Sequence, residues 1–101
     1  MRSIKVFISG RVTGLPRAEA QRNFERGKML LLRNTYEYVN PLDQVPDGST
    51  PTESMKILLP LLVDCDGILL LENHKFSEGS QVEEAVARYC QKQIFHEDDL
   101  N

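Results

Sequence analysis

Glu83 is the residue whose type and position most suggest chemistry. It follows a run of small residues, Ser77-x-Gly79-Ser80, and opens a segment whose apolar residues recur at helical spacing. A carboxylate at such a place can serve as a nucleophile or as a general acid–base. It can equally serve the helix itself. Ser80-x-x-Glu83 has capping-box spacing, and an acid in the first turn complements the helix dipole. The two roles compete, because a carboxylate folded back onto the Ser80 amide is not aimed at a substrate. The other acids to weigh are Asp43, Asp64, Asp66 and Glu72, of which Asp66 reads first as a turn or cap residue. His74 lies in the loop ahead of Glu83, where it is either a solvated histidine or a site residue. The sequence has no Walker-type Gly-x-x-x-x-Gly-Lys, no Gly-x-Ser-x-Gly elbow and no paired metal-ligand spacing. Neither a metal nor a cofactor is therefore expected.

The elements that must position these residues can be read in turn. Ile4 to Ile8 predicts a strand that stops at Ser9-Gly10, followed by a loop to Pro16 carrying Thr13 and Gly14. Ala20, Phe24, Gly27 and Leu31 follow the 3.6-residue period and predict a helix over Arg17–Arg33. Tyr36 to Val39 predicts a second strand, with its tyrosines packing, and residues 41–50 a polar loop. Thr50, Pro51 and Glu53 form a capping-box helix start, and Met55, Leu58, Leu59 and Leu62 share one face beyond it. Pro60 predicts a kink or a restart there. The apolar run Gly67–Leu71 suits a strand buried on both faces. A third long helix is expected from Gly79 to about Lys92, with Val82, Ala85, Val86 and Tyr89 as its core face. At about 100° per residue, Glu84 then points away from the core beside Arg88, and Glu83 lies on the flank. Gln93–Phe95 is a last short strand, and the acidic tail from His96 is expected to fray.

The alternation of strands and helices implies an α/β fold: a three-layer, flavodoxin- or Rossmann-like parallel sheet of order 2-1-3-4, with helices on both faces, as a single domain over residues 1–101. In that order the chain reverses direction between strands 1 and 3, and ligands bind at the carboxyl ends of those strands. The loops there are Ser9–Pro16 and Glu72–Gly79. Their glycines and hydroxyls suit backbone donors approaching a phosphate or sugar.

Composition narrows the partners. Hydrophobic residues make up 41%, charged residues 27%, and the net charge is −3. These are the values of an ordinary globular protein, without general attraction to nucleic acid polymers or anionic membranes. No run is apolar enough to span a bilayer, and residues 1–16 have no secretory-leader pattern. Arg17, Arg22, Arg26, Lys28 and Arg33 read as a solvated helix face, with a phosphate-facing role for one early arginine as the alternative. Cys65 and Cys90 are expected to be reduced, buried thiols in a cytoplasmic protein.

Taken in order, several short motifs resemble a small phage and bacterial family of unknown function, placed among the nucleoside 2-deoxyribosyltransferase-like proteins. They are Val6-Phe7-Ile8-Ser9-Gly10, Thr13-Gly14-Leu15-Pro16, Asn23-Phe24, Val39-Asn40-Pro41, Cys65-Asp66 and Ser77-x-Gly79-Ser80-x-x-Glu83. The resemblance spans almost the whole chain. It implies a nucleoside 2-deoxyribosyltransferase or deoxynucleotide N-glycosidase, with a small-molecule nucleoside or nucleotide as partner and a homo-oligomeric assembly. It also implies that Glu83 attacks the anomeric carbon, as in a retaining glycosidase, and that Ser9, Gly10, Thr13, Gly14, Ser77, Gly79 and Ser80 hold the sugar or phosphate. Two positions depart from the family pattern. Leu58 stands where an aspartate is common, and His74 where a tryptophan is common. With Leu58 there, Asp43, Asp66 and His74 are the candidates to protonate the departing base. The alternatives are a nucleotide-binding module that does not cleave its ligand, and an interaction protein that uses only the fold.

Overall fold

The computed structural model describes residues 3–100. Its elements are strand β1 (Lys5–Ser9), helix α1 (Arg17–Arg33), β2 (Glu37–Val39), the single turn α2 (Pro41–Gln44), α3 (Pro51–Val63), β3 (Gly67–Leu70), α4 (Glu78–Tyr89) and β4 (Gln93–His96). Short 3-10 turns occupy His74–Phe76 and Glu97–Leu100. The four strands form one parallel sheet in the order β2-β1-β3-β4, as the element order implied. Val6 pairs with Gly67 and Ser9 with Leu70, so β1 and β3 end together at the carboxyl edge.

Alternation along β1 divides the core. Val6 and Ile8 pack with Phe24, Leu31 and Leu69 under α1. Phe7 packs with Leu58, Leu62, Ile68 and Ala87 under α3 and α4. All four residues of β3 are buried, which is why its sequence is apolar without alternation.

Several local expectations change. The loop over 41–50 contains α2, opened by the Asn40 side chain accepting from the Leu42 amide. The Thr50–Glu53 capping box forms as expected, but α3 runs unbroken through Pro60. Pro60 lies in the last turn, next to solvent, so its missing donor disrupts little beyond one backbone bond. The tail is not frayed. Glu97 is buried, accepts two 2.8 Å hydrogen bonds from the Arg26 guanidinium and one from the Glu72 amide. Of the two thiols, Cys65 is buried and Cys90 is exposed just beyond α4.

The largest correction concerns α4. Its buried residues are Ser80, Glu83 and Ala87; of the expected core face, Val86 packs half-buried against the core, whereas Ala85 is exposed, Val82 is 46% exposed and Tyr89 90%. Glu84 is half-buried rather than outward, with Arg88 and His74 as neighbours. Periodicity reports that a helix has an apolar stripe, but not whether that stripe meets this chain's own core. Here the inward side holds Val86 and Ala87 against the core and the polar Ser80 and Glu83 at the end of β1.

Candidate functional site

Glu83 is 4% exposed, and its Oε1 accepts a 2.7 Å hydrogen bond from the Ser9 hydroxyl at the end of β1. Because that donation uses the one Ser9 hydroxyl hydrogen, Ser80 is the donor across its 2.5 Å contact with Ser9 Oγ. The result is a relay from Ser80 through Ser9 to Glu83. The capping alternative is absent. The N-cap of α4 is Ser77, whose side chain accepts from the Ser80 amide at 3.0 Å, so the helix begins before Gly79 and Glu83 is released from end-capping. Burial pushes the Glu83 carboxyl up to about 7, against the downward pull of the Ser9 hydrogen bond.

Glu83 and Ser80 form part of the wall of a cleft of about 530 Å³, a volume typical of small-ligand sites. One side of the cleft is the loop after β1, with Gly10, Arg11, Val12 and Thr13, together with Arg17. Gly10 is required by close approach, since a Cβ there would stand 2.6 Å from Leu71 Cδ1. Gly14, at φ +86°, turns the same loop beneath the Arg11 side chain, whose Nε donates to the Thr13 carbonyl at 3.1 Å. The opposite side is Phe76 to Ser80 and Glu83. A third wall comes from Pro41, Leu42 and residues 45–49, with Ser54, Met55 and Leu58 of α3.

The structure therefore brings Gly10, Thr13, Ser77, Gly79, Ser80 and Glu83 to one cleft, with Ser9 directly behind it. It does not bring the other two predicted catalytic residues there. Asp66 lies at the amino end of β3, where its Oδ2 accepts from the Lys5 amide at 2.9 Å, so the length of the sheet separates it from Glu83. His74 faces Glu84, 3.5 Å from its Nδ1, and the ring of His96, 5.8 Å away. Burial holds His74 below its ordinary range despite the opposing pull of Glu84. Asp43 is exposed on α2.

The third wall was missed, although the topology contains it. β2 lies beside β1 and runs parallel to it, so the segment after Val39 must emerge at the same edge. Asp47 and Glu78 are the remaining cleft acids, and Leu58 presents an apolar side chain where an acid was to be sought. Among the described residues, no three His, Cys, Asp or Glu side chains are grouped so as to hold a metal ion. No helix among them is long and apolar enough to cross a membrane.

A parallel α/β sheet with a ligand-sized cleft and a buried carboxylate at its switch point is the class that the fold and the cleft define. The chain belongs to the family described as a domain of unknown function (DUF4406), whose model matches residues 4–96. No curated protein matches it by sequence. Among solved structures it is similar to the Clostridium botulinum CMP N-glycosidase BcmB, with 17% identity and a TM-score of 0.62. The match covers 91% of this chain, which spans 66% of that one. At that identity the likeness is one of fold.

Proposed function

We propose that this chain, acting as one domain over residues 1–101, is an N-glycosidase or 2-deoxyribosyltransferase for a nucleoside or nucleotide, with Glu83 as nucleophile. The observation that carries the reading is the aim of Glu83: its buried carboxylate is held by Ser9 at the cleft instead of capping its own helix. The fold shared with a CMP N-glycosidase and the motif resemblance support it.

In this mechanism the Glu83 carboxylate adds to the anomeric carbon while the carbon–nitrogen bond breaks. The bond's electron pair leaves with the base, which takes a proton from water or a cleft acid. Water, or a second base, then displaces the carboxylate and regenerates it. The Ser80–Ser9 relay steadies the attacking oxygen, and the Ser77, Gly79 and Ser80 segment holds the sugar or its phosphate. Asp66 and His74 have no part in these steps, because neither lines the cleft.

Incubation of the protein with deoxynucleosides and their 5′-monophosphates, followed by chromatography, should show free base. Binding that perturbs Ser9, Gly10 and Glu83 without base release over hours would instead support the second reading, a nucleotide-binding module. Leu58 favours that second reading, because it leaves the α3 wall without an acid. Self-association belongs to the same proposal: Val82 and Tyr89, seven residues apart on α4, leave apolar side chains on its outer side for a second copy to cover. Two free cysteines fit a cytoplasmic setting.

A further inference from the structure

Helix α1 opens on a cation. Its N-cap, Pro16, makes no side-chain capping hydrogen bond, and although Glu19 places an acid in the first turn, the first residue is Arg17, at the position where the helix dipole least favours a positive charge. Such a conflict is expected where a residue is placed for a purpose other than stability. The Arg17 side chain lines the cleft and faces Asp47, on the turn after α2, at 3.6 Å. Arg26 shows what a locked arginine looks like in this fold: two 2.8 Å hydrogen bonds to a buried Glu97. The Arg17–Asp47 pair is longer, and its aspartate side chain is 76% exposed, so the contact can be exchanged at little cost. Arg11 adds a second guanidinium to the same wall, where its Nε donates to the Thr13 carbonyl at 3.1 Å.

Resting on the reading that the cleft takes a deoxyribose-bearing ligand, we propose that this ligand is a nucleotide carrying a phosphate monoester. Arg17 selects it by exchanging Asp47 for the phosphate. A guanidinium matches phosphate with paired, charge-assisted hydrogen bonds, which a single 3.6 Å contact to an exposed carboxylate does not supply. The phosphate also brings more negative charge than the aspartate it displaces. Asp47 is thus a placeholder that keeps the cation at the mouth of the empty cleft, and Arg11 lies close enough in the lining to share the load.

The test is an NMR titration of wild type, Arg17→Gln and Asp47→Asn with the four deoxynucleosides, their 5′-monophosphates and inorganic phosphate. Wild type should bind monophosphates about ten-fold or more tightly than nucleosides, a preference that shrinks as salt rises. Arg17→Gln should abolish the preference while leaving nucleoside affinity within about two-fold, and Asp47→Asn should strengthen monophosphate binding. The Arg17→Gln melting temperature should not fall, since the change removes a cation from a helix start. A preference that survives Arg17→Gln, or wild type without one, overturns the assignment while the nucleoside reading stands. Weaker monophosphate binding in Asp47→Asn also overturns the exchange. Inorganic phosphate bound by wild type but not by Arg17→Gln, with no response to any nucleoside and monophosphates bound no more tightly than phosphate itself, supports the Arg17 site and removes the deoxyribose reading. Silence towards every probe removes both.

Discussion

At the scale of the residue, the account turns on the ionisation of Glu83. With its carboxyl pushed up to about 7 by burial, the attacking carboxylate is the minor form below neutrality and the major form above it. The rate of base release, as kcat/KM, should therefore rise with pH through about 7 and then level, which a pH profile checks directly. The same shift has a consequence for stability. Between its ordinary value of 4.5 and about 7, the unfolded chain has lost this proton while the folded chain keeps it. Folding then binds the extra proton, so stability falls as pH rises through that window. Glu83→Gln cannot titrate. Whatever the offset between the two proteins below the window, Glu83→Gln should gain on wild type by roughly 3 kcal/mol across it, in urea midpoints taken at a series of pH values. Glu83 stands out in the sequence by type and spacing, but whether it caps its helix does not. Capping and site uses put the same residue type at the same spacing, and only the position of the true N-cap, Ser77, separates them.

At the scale of the element, part of the short-range chemistry is legible, though not the continuity of α3 through Pro60, the turn α2 or the Ser77 cap of α4, and the long-range side-chain contacts are not. The Thr50 capping box, the span of α1 and the buried run of β3 all follow from residues a few positions apart. The anchored tail does not, because Arg26 and Glu97 are 71 residues apart in the chain. Burial alone would raise the Glu97 carboxyl, but the Arg26 hydrogen bonds and the Glu72 amide bring it below its usual range. Glu97→Gln should cost about 1–3 kcal/mol and expose the last turn, measured by urea unfolding and by amide exchange at Glu72. The phase of α4 was misjudged for a related reason. Val82 and Tyr89 carry the strongest apolar signal in the helix, yet they point away from the sheet, and the inward stripe contains Glu83.

At the scale of the molecule, the sheet order and the edge that carries the cleft followed from the alternation of elements, because parallel crossovers leave few topologies open. The wall built by residues 45–49 does not follow from the β1–β3 switch point, since it extends from the neighbouring end of β2. The outward apolar face of α4 is also a property of the whole molecule. If a second copy covers it, Val82→Glu with Tyr89→Lys should lower the sedimentation mass to that of one chain without loss of folding. A wild type that already sediments as one chain would remove that part of the proposal.

The claim on which the rest depends is that Glu83 does chemistry at the cleft. It is tested most directly by the rate of free-base release from deoxynucleosides and deoxynucleoside 5′-monophosphates by wild type and Glu83→Gln, side by side above pH 7. The account predicts release by wild type and a loss on the order of a thousand-fold or more in Glu83→Gln, with the variant still folded and still binding ligand. Equal release by the two proteins would contradict it.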